Sequence, residues 1–417
     1  MPPSSTPRVK RPVEYSILYT ATLCTLAVGA VMVYSASSAE SLLQGNGGDP
    51  AMYLKRYVFL GLIGLFAMYW FSRHGLAAVK RLTPMLLGVA FALTVAVMLP
   101  GIGVTINGAT RWLGAGPLQF QPSELLKVAL VLYTARLLAE RPGSVKRLGT
   151  LCKPLLLVVG AACLLLLKQP DMGTSMVICF SVGCLLVAAG APMRLLGSLA
   201  GGLFVVGGVL AVVEPYRMER VTAFLDPFGD AGDTGFQAVQ ALTAIGSGGL
   251  FGVGLGESVQ KIFYLPEAHT DMILAIIGEE LGVVGMVGVA VLYGMIGYAG
   301  LRAAKAAADP YSKLVATGIT CLILSQATLN FFAVLGMAPL TGVPLPFISY
   351  GSTNLIVLLS GMGLVLNVAA TGGLPARAAK PRLQPIEGGR DAHDRDRRGR
   401  DGGARGPGTG RRRRAAG

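Results

Sequence analysis

Charge is what this sequence has least of. Asp, Glu, Lys and Arg make up 14% of its 417 residues, against roughly 25% in an ordinary soluble domain. With 53% hydrophobic residues and a mean hydropathy of +0.59, that scarcity excludes a soluble globular fold. One signal peptide or one anchor does not lift the mean of a whole chain so far, so apolar segments must recur along it. Paired cysteines are lacking too. Cys24, Cys152, Cys163, Cys179, Cys184 and Cys321 are scattered, with no Cys-x-x-Cys spacing, which excludes a disulfide framework and a zinc site. The formal charge of +14 is mostly a tail property: after Gly372 stand thirteen Lys/Arg against five acids, with no aromatic residue among them. A nucleic-acid surface needs a folded basic face interleaved with aromatics, so none is expected.

What is present is a series of apolar runs near the roughly 20 residues that a 30 Å lipid core requires. We read ten: Tyr15–Ser35, Tyr57–Phe71, Leu82–Leu99, Ser123–Leu138, Leu155–Leu167, Gly173–Gly190, Leu195–Val213, Asp271–Gly297, Leu314–Leu335 and Ser352–Ala370. The fold class is therefore an all-α polytopic membrane protein of about ten transmembrane helices. The first run is longer than the apolar core of a cleaved signal and is expected to stay as a helix, although Ser35-Ala36-Ser37 mimics a cleavage site. An even number of spans puts both termini on one side. With that side cytoplasmic, 28 of the 36 Lys/Arg fall inside, and the bias survives removal of the tail.

The chain divides into an N-terminal tail (1–14), a membrane domain (15–370) and a basic tail (371–417) whose composition predicts disorder. The tail's Arg411–Arg414 run suits contact with anionic lipid, or plain solvation. A long extracytoplasmic connection, 214–270, joins segments seven and eight. Long connections in compact folds usually carry function, the alternative being a solvated surface loop. Its middle part, Gly235–Ile245, is apolar enough to lie along the membrane surface.

Ionisable residues at membrane depth are costly and are default functional candidates. Glu124 and Lys127 stand at i, i+3 in segment four and can neutralise each other, as a structural pair or a functional one. Asp171, in Gln169-Pro170-Asp171, is expected to cap segment six. Segment eight opens on Glu267-Ala268-His269-Thr270-Asp271. Helix capping accounts for a Thr-Asp pair, but not for three titratable residues within five positions. Glu279 and Glu280 lie about 12 Å further along the helix and are expected to meet cations or waters within the bundle.

The strings NGATRWL (107–113), QPSELLK (121–127), QPDMGTS (169–175), FLDPF (224–228), GLGESVQKIFYLPEAHTDMILAIIGEELG (254–282) and PLTGVPLPFISYGS (339–352) together resemble the SEDS family, FtsW/RodA/SpoVE, over roughly residues 15–370. PEAHTD, with alanine before the histidine, is more similar to the FtsW branch than to the RodA branch. The sequence departs from the family pattern at Ser349–Asn354 and at Gly336–Pro339. The resemblance implies a peptidoglycan glycosyltransferase that polymerises lipid II at the outer face of the cytoplasmic membrane, at the division septum, and releases undecaprenyl pyrophosphate. It places the essential aspartate on Asp271, loop cations on Arg217, Arg220 and Lys261, and an intramembrane acid–base pair on Glu124 and Lys127. His269 and Glu267 stand beside the aspartate as hydrogen-bonding or substrate-binding neighbours. A divalent cation, Mg or Mn, is implied by the resemblance alone, with no ligand set identified. So is a class B penicillin-binding protein as partner, with other divisome proteins. An inverting transfer needs one base to deprotonate the acceptor hydroxyl, a role that fits Asp271. Cations suit the departing pyrophosphate. A lipid II flippase or transporter, an elongation polymerase of the RodA kind and a non-catalytic scaffold are the alternatives. A transporter predicts paired halves, and no internal repeat is evident.

Overall fold

The computed structural model describes residues 12–372 apart from 44–47, 107, 116–117, 147, 214, 230, 234 and 263. The tails read at 1–14 and 371–417 therefore lie almost wholly outside the described residues. Helix α1 (Val13–Leu43), α2 (Met52–Arg73) and α3 (Leu76–Ala96) lead into three strands, β1 (Gly103–Ile106), β2 (Ala109–Ala115) and β3 (Leu118–Phe120). Then come α4 (Pro122–Glu140), the short α5 (Leu148–Leu151), α6 (Leu157–Lys168), α7 (Met172–Ala188) and α8 (Met193–Val213). The chain closes with α9 (Pro215–Leu225), α10 (Phe236–Gly248), α11 (Ile273–Ala306), α12 (Pro310–Val334) and α13 (Ser352–Thr371).

Each of the ten apolar runs overlaps a helix. In lipid a backbone must satisfy its own N–H and C=O groups, and a run of this length does so as a helix. Among the described residues seven helices are long and apolar enough to cross a membrane, while α6 and α7 are shorter apolar helices. The helix α4 carries Glu124, Lys127, Arg136 and Glu140. The protein is thus a polytopic membrane protein. Polar groups inside these helices are satisfied locally: Thr22 donates to Leu18 O at 2.8 Å and Ser37 to Val33 O at 2.6 Å, the back-bonding that lets hydroxyls sit in apolar helices. Pro84 inside α3 cannot donate to Lys80 O, and the Arg136 guanidinium takes that carbonyl at 3.0 Å instead.

The core is formed by α11, α12 and α13. The most apolar window of α13 is 83% buried and that of α12 72%, against 6% for α8, so α8 presents nearly its whole surface to lipid. Helix α13 packs along α2, and α1 along α11. A Cβ on Gly363 would stand 2.5 Å from Met68 O, so only glycine allows α13 and α2 to approach this closely.

Beside the helices stands one small antiparallel sheet in the order β1-β2-β3, with Val104 opposite Trp112 and Leu113 opposite Phe120. The β-branched run Val104-Thr105-Ile106 before Asn107-Gly108 is a hairpin signal, short beside the apolar runs that flank it. Arg111 in β2 donates to Gln169 O at 2.9 Å and to Pro170 O, docking the sheet on the turn before α7. Asp171 caps α7 as expected, accepting from Thr174 N at 3.2 Å. The long connection is likewise not an open loop. It contains α9 and α10, and the apolar stretch read at Gly235–Ile245 folds into α10 and packs on α11.

Candidate active site

The apolar run of segment eight places its start at Asp271, with helix capping as the plain alternative to a catalytic role. The helix begins instead at Ile273, and Met272 at the cap position makes no side-chain cap bond. The turn before it explains why. Glu267 adopts φ 58, a left-handed conformation that is rare for residues with a side chain. Its carbonyl then accepts from both Thr270 N and Met272 N at 3.1 and 3.2 Å. Asp271 therefore stands one residue before the cap position, and its carboxylate is not the cap of α11.

Several elements converge on that carboxylate. The Thr270 hydroxyl lies 2.7 Å from Glu267 Oε2 and 3.1 Å from Asp271 Oδ1, and its one proton serves one of them at a time. Asn330, deep in α12, donates to Asp271 O at 2.7 Å and to Val343 O at 2.9 Å, tying the aspartate to the α12–α13 connection. There Gly342 has φ +66, and a Cβ on it would lie 3.7 Å from Asp271 Oδ2. Arg220 reaches in from α9 and donates to Leu340 O at 2.8 Å. Burial raises the Asp271 pKa to about 6, assisted by the Glu267 charge and opposed by the Thr270 hydroxyl and Arg220. A cleft of about 300 Å³ opens beside this turn, walled by Arg220, Phe224, Phe236, Gln237, Pro266 and Leu340 among others.

His269 packs between Tyr53, with ring centroids 4.5 Å apart, and Tyr350, at 5.8 Å. Its Nδ1 stands 3.4 Å from Glu40 Oε2, within ion-pair reach but outside hydrogen-bond geometry. Tyr350 N donates to His269 O at 3.0 Å. The end of α1, the start of α2 and the chain before α13 therefore all grip the segment that carries Asp271.

Of the three expected loop cations, Arg220 stands at the site. Arg217 shares helix α9 with it at i, i+3, and its side chain lies outside the described residues. Lys261 is engaged elsewhere. Its ammonium pairs with Glu280 at 2.9 Å and donates to Gly256 O at 2.6 Å and Ser35 Oγ at 3.2 Å. Glu280 thus meets a cation, as expected, whereas Glu279 is held by neutral donors, Ser258 Oγ and Val259 N. Glu124 and Lys127 form their pair at 2.9 Å, fully buried. Lys127 extends to Gln326 Oε1 at 3.1 Å, and Gln326 donates to Pro344 O at 2.9 Å.

Sequence reasoning missed Gln326, Asn330, Ser35, Glu40 and Tyr53. Gln326 and Asn330 carried a usable signal, since side-chain amides are expensive within an apolar helix. Among the described residues no group of three or more His, Cys, Asp or Glu could hold a metal ion. A divalent ion that keeps its waters and shares phosphate oxygens needs only one or two carboxylates. Glu267, with the Thr270 hydroxyl beside it, fits that lesser requirement.

The family profile described as cell cycle protein, FtsW/RodA/SpoVE, matches residues 15–372. The chain belongs to the FtsW/RodA/SpoVE family. Among FtsW/RodA/SpoVE relatives it is 41% identical over 346 residues to the probable peptidoglycan glycosyltransferase FtsW of a Geobacter species, covering 82% of this chain and 92% of that one. It is 37% identical over 355 residues to stage V sporulation protein E of Bacillus subtilis, covering 85% and 96%. Among solved structures, a chain from "Structural coordination of polymerization and crosslinking by a peptidoglycan synthase complex" superimposes with a TM-score of 0.71 at 31% identity, covering 86% of this chain and 98% of that one. The rod shape determining protein RodA of Thermus thermophilus gives a TM-score of 0.62 at 29% identity, covering 86% and 97%.

Proposed function

We propose that the chain is a peptidoglycan glycosyltransferase that polymerises lipid II into glycan strands at the outer face of the cytoplasmic membrane during cell division. The observation that carries this reading is the Asp271 carboxylate, just ahead of α11 in a turn whose neighbour Pro266 lines a cleft with Arg220 and Leu340, and shifted to a pKa of about 6. A base of that strength is mostly ionised at neutral pH and still basic enough to take a proton in the transition state.

Extending a β-linked glycan from an α-linked pyrophosphate donor inverts the anomeric carbon. One base suffices: Asp271 removes the proton of the acceptor 4-hydroxyl as that oxygen attacks. The departing undecaprenyl pyrophosphate gathers negative charge, which Arg220, and Arg217 on the same helix, stabilise. A Mg or Mn ion held by Glu267 would supply further charge neutralisation at the phosphates, leaving the Asp271 carboxylate free as the base. Lys261 has no part in this step, being engaged by Glu280.

The Lys/Arg distribution supports cytoplasmic termini, which sets Asp271 on the outer side where a lipid-linked sugar presents its head group. Likeness to a chain of a peptidoglycan synthase complex supports a class B penicillin-binding protein as partner, and the FtsW names of relatives support work with divisome proteins at the septum. The test is polymerisation of labelled lipid II by the purified protein in vesicles, with and without its transpeptidase partner and a chelator. Glycan strands are expected. Lipid II crossing the bilayer with no strand formed would favour a transporter instead.

A further inference from the structure

The helix α11 is broken at Gly282, which has φ 68 and ψ −166. In an unbroken helix Val283 N and Val284 N would donate to the carbonyls of Glu279 and Glu280. All four groups turn to the chain after α10 instead. Val283 N donates to Gly249 O at 3.0 Å and Val284 N to Leu250 O at 3.2 Å, while Val253 N donates to Glu279 O at 2.9 Å and Gly254 N to Glu280 O at 3.1 Å. The 249–254 segment is thus spliced into the helix, an approach that only glycine permits: a Cβ on Gly252 would stand 2.1 Å from Glu280 O, and one on Gly282 2.4 Å from Leu250 O.

Side chains reinforce the splice at the same level. Glu279, Glu280 and Lys261 are 3%, 1% and 7% exposed. Glu279 accepts from Ser258 Oγ and from Val259 N at 3.0 Å. Glu280 accepts from Lys261 at 2.9 Å and from Ser35 of α1 at 2.6 Å. From Lys261 the chain runs to the catalytic turn through consecutive turns, Ile262 N to Val259 O at 3.0 Å and Leu265 N to Gln260 O at 2.9 Å. The α1 helix touches both ends of this path, through Ser35 at the ion pair and Glu40 at His269.

We propose that Lys261, Glu280 and Ser35 form a positioning lock that fixes the turn 264–271, and with it the Asp271 carboxylate, against α1 and α11. The inference rests on the reading of Asp271 as the base. It gives the buried charges a task that stability alone does not explain, since apolar side chains of like volume in place of a buried ion pair are often neutral or stabilising. Misplacing a reacting group by about 1 Å costs on the order of a hundredfold in rate, so loss of the lock should appear in turnover.

The experiment uses the full chain with its transpeptidase partner and labelled lipid II. The double variant Lys261→Met/Glu280→Leu removes both charges and leaves neither unpaired. Its thermal stability should match the wild type, while kcat falls by at least about tenfold and KM stays within about twofold. Lys261→Arg, which keeps the charge, should retain most turnover. Ser35→Ala, a milder change that keeps the ion pair, should lower kcat by about two- to fivefold and serves if the double variant does not fold. Wild-type kcat in the double variant, or in Ser35→Ala where the double variant does not fold, overturns the lock. Asp271→Asn in the same assay separates the two claims: if it is inactive and the double variant fully active, the lock alone fails, whereas full turnover by Asp271→Asn overturns the base and the lock together.

Discussion

Replacing Asp271 by Asn should stabilise the protein at neutral pH while abolishing its proposed chemistry. The carboxyl pKa is raised from 3.8 to about 6, with burial as the largest cause. A raised folded-state value means that the folded protein holds the proton more tightly than the unfolded chain. The favourable contribution is complete below the unfolded value of 3.8 and is lost as pH rises through about 6, leaving an ionised carboxylate that opposes folding at neutral pH. At roughly 1.4 kcal/mol for each pH unit between the two values, the ceiling is about 3 kcal/mol. Solvent at the partly exposed carboxylate reduces this to about 1–2 kcal/mol. Asn keeps the shape and the bond from Thr270 but never ionises. Thermal unfolding of wild type and Asp271→Asn in the same lipid at pH 7.5 and pH 4.5 should show the variant higher by roughly 2 to 5 °C at pH 7.5, with the gap closing at pH 4.5. A variant less stable than wild type at pH 7.5, or a gap independent of pH, would refute the electrostatic reasoning.

Other perturbations address the surroundings. Glu124→Gln or Lys127→Met alone strands a buried partner and should cost about 3–5 kcal/mol, with most of it recovered in the double variant; chemical or thermal unfolding measures this. Gly282→Ala forces a side chain into a left-handed backbone against Leu250 O and should destabilise by more than about 1 kcal/mol, visible as earlier proteolysis of the chain after α10. Arg220→Gln removes a charge that lowers the Asp271 pKa, so the acid limb of the turnover profile should move to higher pH. Asn330→Leu leaves the Asp271 and Val343 carbonyls without their donor and should cost about 1–3 kcal/mol, read by thermal unfolding.

The helices were legible because an apolar run of some twenty residues has one solution in lipid, and every such run became a helix. Contacts between near neighbours were legible as well: Glu124 with Lys127 at i, i+3, and Asp171 with Thr174 across one helical turn. What escaped depends on chain distant in sequence. Ser35 and Glu280 are 245 residues apart, and no local pattern reveals that Lys261 pairs with Glu280. The later helix start follows from Glu267, whose left-handed backbone lets its carbonyl take Thr270 N and Met272 N in a turn ahead of α11. The β1-β2-β3 sheet is faint in the sequence because its strands are short and lie between long apolar runs.

The most direct measurement is the rate of glycan-strand formation from labelled lipid II by wild type and Asp271→Asn between pH 5 and pH 8. With a pKa of about 6, about a tenth of the base is ionised at pH 5 and about nine tenths at pH 7. Wild-type turnover should therefore rise by about tenfold across that range, and Asp271→Asn, inserted normally, should make no strands at any pH. Strands made by Asp271→Asn at the wild-type rate would contradict the assignment of Asp271 as the base.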